Sequence, residues 1–529
     1  MFRSTKKVVS FILVIAVLLC LGMTTAFAAE GYVQELGPET GLMPVPMAET
    51  KYGTLQGFVQ DGVNTFLGVK YADAERFEKP TEPESWEGVR TARAYGFSCP
   101  IIKQTTIDIT AYNLPRRYWV ENEDCQYMNI WTPTMDPNAK KPVLVYLHGG
   151  GFHIGSSVDL TTYDSYNLSR NGDVVAVNLN HRLAGLGFLD LSAYGDEYKD
   201  TVNLGMADIE MALRWVQENI EQFGGDPDNV LIYGQSGGSS KTNTLLRMPS
   251  AEGLFHKAMM ISGTNGLSSD VEKSQELAAA TLEKLGLDGT QIEELKEVPV
   301  DDLVAAAAEA QAEVGYSFQP IADGEYLTTE ISDWAKNVPV IAGSNISESQ
   351  YLPYVTDLGN KNEWDEAEVM EHMTARFGDN AEAALAEYNA LFPEKKDADA
   401  FLYDNRRRNG MINILTDISE STNAPLYNYL FTYEFPVDGG TPAFHSSELA
   451  FLFDNLSMVT GATGGTQGAY DLQDAFNSAL VNFVWTGDPS PDGLTWEPFT
   501  VEGREAMIFD VESGMKNLDD TALLEMIVQ

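Results

Sequence analysis

Cysteine and histidine are scarce in this chain, and so is positive charge. Three cysteines among 529 residues exclude a disulfide-dense scaffold and a multi-cysteine zinc or iron–sulfur module. Six histidines, at positions 148, 153, 181, 256, 372 and 445, leave few places for an imidazole-based site. The 34 Lys and Arg are outnumbered by 78 Asp and Glu, for a net charge of −44. So negative a field repels phosphate backbones and anionic lipid, which excludes nucleic acid and acidic membrane surfaces as partners and favours solubility. At 44% hydrophobic and 21% charged the composition is still that of a globular chain, not a disordered one.

Long apolar runs are also missing, with one exception at the N-terminus. Arg3, Lys6 and Lys7 precede an apolar stretch from Val8 to about Met23, and Ala26-Phe27-Ala28 supplies the small-residue pattern of a cleavage site. A retained membrane anchor is the alternative, but the run falls a little short of the ~18 to 20 apolar residues of a spanning helix. It reads as an export signal over residues 1–28, cut near Ala28, with residues 29–529 as a single catalytic domain. The mature protein is expected to be secreted or otherwise extracytoplasmic, without stable membrane insertion. Cys20 leaves with the signal. Cys99 and Cys125 remain, an even pair in an exported chain, the context in which two cysteines are expected to be bridged; the alternative is two buried free thiols.

Along the rest of the chain, short strand-like runs alternate with helical spacing. Tyr52 to Gln60 and Val63 to Val69 are split by Asp61-Gly62, a hairpin signal. Tyr127 to Trp131, Pro142 to Leu147, Val174 to Leu179 and Val230 to Tyr233 suit buried strands of a mainly parallel sheet. Ala207 to Phe223 has helical spacing and stops at Gly224-Gly225. Helices are expected over Glu272 to Leu285, Ile292 to Gln311, Glu363 to Phe377, Ala381 to Leu391, Asp399 to Ser419 and Leu472 to Trp485, with strands at Val338 to Ala342 and Leu426 to Tyr433. The Gly/Thr-rich stretch Gly461 to Gly468 reads as a loop. The alternation places the chain in the α/β class.

The chemistry is written in two glycine-flanked motifs. Gly234-Gln235-Ser236-Gly237-Gly238 matches GxSxG directly after a predicted strand and before a helical segment. A serine on such a tight strand-to-helix turn is held clear of the sheet, and flanking glycines let backbones approach it. The pattern alone is weak, and the strand-turn-helix context supplies its specificity. His148-Gly149-Gly150-Gly151-Phe152 follows another strand. Attack on a carbonyl creates an oxyanion, and residues without side chains can aim backbone amides at it; Gly150, Gly151 and Gly237 are the candidate donors. In α/β enzymes that raise a serine on such a turn, the chain order is nucleophile, acid, base, so the base must be a late histidine. His372 lies in an amphipathic helical pattern, whereas His445 follows a predicted strand and a Pro/Gly-containing loop, which selects His445.

These motifs, with Phe66-Leu67-Gly68-Val69-Lys70-Tyr71-Ala72, Arg76-Phe77, Glu123-Asp124-Cys125-Gln126-Tyr127-Met128-Asn129, Phe223-Gly224-Gly225-Asp226-Pro227 and Thr486-Gly487-Asp488-Pro489, resemble the type B carboxylesterase and cholinesterase-like family over nearly all of the mature sequence. The resemblance implies an α/β-hydrolase fold: a central, mostly parallel sheet flanked by helices, with large helical insertions. It implies a glutamate as third triad member, matching Glu348 in Gly343-Ser344-Asn345-Ile346-Ser347-Glu348-Ser349; relatives usually have Asp-Glu-Gly, so Ser347 and Ser349 depart from the pattern. Asp323 is the nearest rival acid. The resemblance also implies a Cys99–Cys125 bridge and two buried ion pairs, Arg76–Glu123 and Arg182–Asp208. Gln235 stands where animal cholinesterases carry glutamate, which argues against a dedicated choline ester.

The implied activity is hydrolysis of a small-molecule carboxylic ester through an acyl-enzyme, with no metal or organic cofactor. Activity should fall as pH drops through the histidine's pKa, ordinarily about 6.5. An amidase or thioesterase would use the same residues. A lipase would need an apolar lid, and none is identifiable. A cholinesterase-like binding protein without catalysis would commonly lack triad members, and here all three residue types are present.

Overall fold

The computed structural model describes residues 45–103, 114–264, 266–349, 360–491 and 493–526. The expected signal segment, 1–28, lies outside them. Among the described residues, eleven strands build the central sheet: β1 (Phe58–Gln60), β2 (Val63–Lys70), β3 (Tyr127–Thr132), β4 (Lys141–Leu147), β5 (Val175–Leu179), β6 (Gly225–Gln235), β7 (Lys257–Ile261), β8 (Val340–Asn345), β9 (Leu426–Phe431), β10 (Glu505–Phe509) and β11 (Gly514–Asn517). Their spatial order is β11-β10-β9-β8-β7-β6-β4-β5-β3-β2-β1. Pairs from β10 through β6 to β4 and β5 are parallel, and both margins are antiparallel. This is the α/β-hydrolase architecture that the motifs imply.

Strand alternation decides which side chains meet which helices. In β4, Val143, Val145 and Leu147 enter one core, while Leu144 and Tyr146 enter the other. The first core is closed by α1 (Leu204–Asn219), through Met206, Ile209, Leu213 and Val216, and by α3 (Arg406–Ser421), through Met411, Leu415 and Ile418. The second is closed by α4 (Gln467–Thr486), through Leu472, Phe476, Leu480 and Phe483. Both faces of the parallel strands are thus buried, which explains why they read as continuous apolar runs. No helix among the described residues is long and apolar enough to cross a membrane.

Most expected elements appear within a few residues of their predicted bounds. The hairpin turn is where Asp61-Gly62 placed it: φ is 44° at Asp61 and 93° at Gly62, the left-handed pair that a two-residue hairpin favours. Ile292 to Gln311 is not one helix. It divides into a 3-10 turn at Ile292–Lys296 and a helix at Val300–Val314, because Pro299 interrupts the ladder. The stretch Gly461 to Gly468, expected to be a loop, holds the end of a helical turn, Thr460–Thr463, and the Thr466 cap of α4, whose hydroxyl accepts from Ala469 N at 3.3 Å. Strand β7 and the C-terminal pair β10 and β11 were not foreseen.

Candidate active site

Every candidate catalytic residue lies beyond the carboxyl end of a parallel strand, where side chains leave the sheet. Ser236 caps α2 (Gly237–Leu245) directly after β6, at φ 57° and ψ −118°. Its amide donates to Ile261 O of the neighbouring strand at 2.8 Å, which anchors the strained turn. The flanking glycines are sterically required. A Cβ on Gly238 would stand 1.9 Å from Leu147 O, and one on Gly234 would stand 2.4 Å from the Gly238 carbonyl carbon. Ser236 is therefore raised on a turn through which no larger residue could thread.

The glycine loop after β4 meets this turn. A Cβ on Gly237 would lie 2.3 to 2.5 Å from Gly151 backbone atoms, so the glycine loop packs directly against the residue that follows Ser236. Gly150 and Gly151 take φ of 87° and 63°, conformations that favour glycine. Among the described residues, the amides of Gly150, Gly151 and Gly237 have no backbone acceptor outside regular elements, whereas Gly150 O accepts from Ile154 N at 3.1 Å. The loop thus ties down the Gly150 carbonyl, while none of the three amides takes a backbone partner there.

His445 and Glu348 come from separate loops strapped together. His445 N donates to Glu348 O at 3.2 Å and Ser347 N to Ala443 O at 3.0 Å. Between the side chains, His445 Nδ1 lies 2.5 Å from Glu348 Oε2, with Glu348 fully buried. Glu348 Oε1 accepts from Asn345 N at 2.8 Å. Burial pushes this carboxyl up, but the charge and hydrogen bond of His445, then Arg407 with Nε 3.9 Å away, outweigh it and hold Glu348 below its ordinary range. Gln235 Nε2 lies 3.4 Å from both His445 ring nitrogens. A cavity of about 630 Å³ is lined by Ser236, His445, Gly149, Gly150, Gly151 and Gly237 together, with Arg406, Arg407 and Phe318 on its walls.

The rival residues have other work. His372 stacks on Trp364, with ring centroids 4.0 Å apart. His256 Nδ1 accepts from Val230 N at 3.1 Å. His148 and His181 are buried and stacked on each other at 5.0 Å. His153 belongs to the glycine loop and lines the cavity. Asp323 closes a turn by accepting the amides of Glu325, Tyr326 and Leu327.

Sequence reasoning missed a second buried carboxyl. Glu448 Oε1 accepts from Ser262 Oγ at 3.0 Å and Oε2 from Asn345 Nδ2 at 2.6 Å, behind Glu348. Burial first, then the Glu348 charge, push Glu448 up to about 8, so near neutrality Glu348 carries the charge and Glu448 the proton. Glu448 stands three residues past His445, and no local pattern marks it. Its role emerges only when three distant segments meet.

The Cys99–Cys125 bridge is not formed in this structure. Both are buried free thiols. Burial, then the neighbouring Cys99 sulfur, hold the Cys125 thiol well above its ordinary value. Reduced thiols can share the same apolar site without the bond, because a free cysteine packs as a small hydrophobe. Both expected ion pairs form, but only one of them is buried on both sides. Arg182 meets Asp208 at 2.7 Å with both buried, while Arg76 reaches Glu123 through Nε at 2.7 Å with Glu123 one-third exposed. Among the described residues no cluster of His, Cys, Asp and Glu could hold a metal ion.

Comparison with known proteins agrees with this arrangement. The model of the Carboxylesterase family matches residues 44–524. The para-nitrobenzyl esterase of Bacillus subtilis (strain 168) is 33% identical over 88% of this chain and 95% of its own length. The fumonisin B1 esterase of Sphingopyxis macrogoltabida is 32% identical over 89% and 87%. Among solved structures, an esterase from anaerobic Clostridium hathewayi, described as able to hydrolyse aliphatic aromatic polyesters, superposes with a TM-score of 0.85 at 38% identity, covering 91% of this chain and 97% of that one. With a family match spanning the catalytic core and relatives aligned over nearly their full lengths, the chain belongs to the carboxylesterase family and is a carboxylic ester hydrolase.

Proposed function

We propose that the chain is an exported serine carboxylesterase that works by two-step acyl transfer. Ser236 Oγ attacks the ester carbonyl while His445 takes its proton. The amides of Gly150, Gly151 and Gly237 receive the oxyanion, and Glu348 fixes the imidazole tautomer and balances the imidazolium. His445 returns the proton to the departing alcohol; water then enters and gives its proton to the same imidazole, which passes it to Ser236 Oγ as the acyl–oxygen bond breaks and the acid leaves. The observation that carries this reading is the 2.5 Å contact of His445 with a wholly buried Glu348, in a cavity also lined by Ser236 and the three glycines.

Both carboxyls are needed in their separate states. A charged Glu348 orients His445, and a protonated Glu448 spares the site a second buried charge. The likeness to a polyester-hydrolysing esterase makes aliphatic and aromatic esters the first class to assay. The test is turnover of a chain-length series of nitrophenyl esters by wild type and Ser236→Ala. Loss of nearly all activity in the variant is expected. A variant with the wild-type rate would falsify the serine mechanism, and a wild type inert toward every ester would return the chain to the binding-protein reading.

A further inference from the structure

Helix α2 carries Ser236 at its cap and, one turn further, a lysine that the mechanism does not use. Lys241 is wholly buried, and its Nζ donates to His148 O at 2.9 Å. That carbonyl belongs to the peptide joining His148 to Gly149, the first link of the glycine loop. Among the described residues no acid pairs with Lys241. Its surroundings are the ring of Phe152, 5.7 Å from Nζ, and three histidines, His148, His153 and His181, with Arg182 beyond them held by Asp208. Burial and then the lysine itself hold all three imidazoles below their ordinary range.

A buried lysine without a counter-charge is expensive, and an aliphatic side chain would fill helix α2 at no such cost. What an aliphatic chain cannot do is reach across to the His148 carbonyl. The next two carbonyls of the loop have their own ties: Gly149 O lies 2.8 Å from His148 Nδ1, and Gly150 O accepts from Ile154 N at 3.1 Å. At the first position the tie comes from Lys241. Because Lys241 sits on the helix whose cap is Ser236, this one hydrogen bond locks the oxyanion loop and the nucleophile into a common frame.

We propose that Lys241 is a positioning residue for ester hydrolysis, its amine holding the His148–Gly149 peptide so that the amides of Gly150 and Gly151 stay aimed at the carbonyl under attack at Ser236. This rests on the reading of those amides as the oxyanion donors. The amine lies behind the loop and touches no reacting atom. Burial pulls its pKa down to about 7, yet an amine and an ammonium both donate, so the tie persists on either side of neutrality.

Displacing donors by a fraction of an ångström weakens the transition state more than the bound substrate. Lys241→Met, which keeps the length and removes the donor, should lower kcat by about tenfold to a hundredfold with KM changed less than about threefold. Affinity for a trifluoromethyl ketone, whose adduct with the serine places an oxyanion in the same position, should fall by the same factor as kcat. Lys241→Gln, which retains a donor, should recover part of both losses. A folded Lys241→Met with wild-type kcat and ketone affinity overturns the proposal. So does a parallel loss in KM, or a failure of both variants to fold, which would make the lysine a determinant of the fold instead. Activity surviving in Ser236→Ala would reject the serine mechanism itself and is read independently of these variants.

Discussion

Glu448 should make the protein lose stability as the medium turns alkaline, and replacing it with glutamine should abolish that loss. Its carboxyl is pushed from 4.5 to about 8 by burial and by the adjacent Glu348 charge, in spite of donors from Ser262 and Asn345. Between these two values the native state keeps a proton that the unfolded chain has already released. Stability therefore falls as pH rises through this window, and the loss is complete above the folded pKa. At about 1.36 kcal/mol per unit, the rise of this one group corresponds to a loss of at most about 5 kcal/mol. Glu448→Gln keeps the shape and hydrogen-bonding capacity but cannot ionise. Urea unfolding of both proteins from about pH 5 to about pH 10 isolates the effect, because their other titrating groups are shared. The wild type should be at least as stable as the variant at the acid end and should fall behind it by several kcal/mol at the alkaline end. A difference that stays constant across the range would refute the assignment of the proton to Glu448.

Glu348→Gln should lower kcat by about a thousandfold or more while leaving KM nearly unchanged, because the imidazole keeps its place but loses the carboxylate that sets its tautomer; steady-state kinetics on a nitrophenyl ester checks this. Cys99 and Cys125, adjacent free thiols here, should join when residues 29–529 are prepared under oxidising conditions, giving no thiol titre after denaturation and a stability gain of about 3 to 4 kcal/mol over the reduced form. Two reactive thiols in denatured, oxidised protein would reject the bridge.

The parts of the site legible from sequence are those where chemistry forces an unusual residue. Gly234 and Gly238 face backbone at distances no Cβ tolerates, and Asp61-Gly62 supplies two left-handed residues in a row, so each leaves a mark that can be read without coordinates. Apolar strands buried on both faces announced themselves for the same reason. Strand β7 did not, because Lys257-Ala258-Met259-Met260-Ile261 is as compatible with a helix as with a strand, and its pairing with β6 and β8 decides the matter. Strands β10 and β11 are short; β10 gains its place only by adding to β9, and β11 by adding to β10.

The supporting shell was hidden for a related reason. Ser262, Glu348 and Ser446 hold φ of 53°, 40° and 71°, values that glycine would advertise but that serine and glutamate conceal. Each such residue costs about 1 to 3 kcal/mol, and it persists only where the surroundings over-determine it. Here the surroundings are specific: Ser262 N donates to Gly343 O at 2.8 Å, His445 N reaches Glu348 O, and Asn345 Nδ2 bonds both Phe444 O and Glu448. Strain at the acid and beside the base is thus held by bonds between segments some hundred positions apart. A sequence can be scanned for a nucleophile because its turn is local. The groups that orient the base are recognisable only once the sheet has brought β7, β8 and the loop after β9 side by side, which is why Glu348 required a family likeness to find and Glu448 escaped notice altogether.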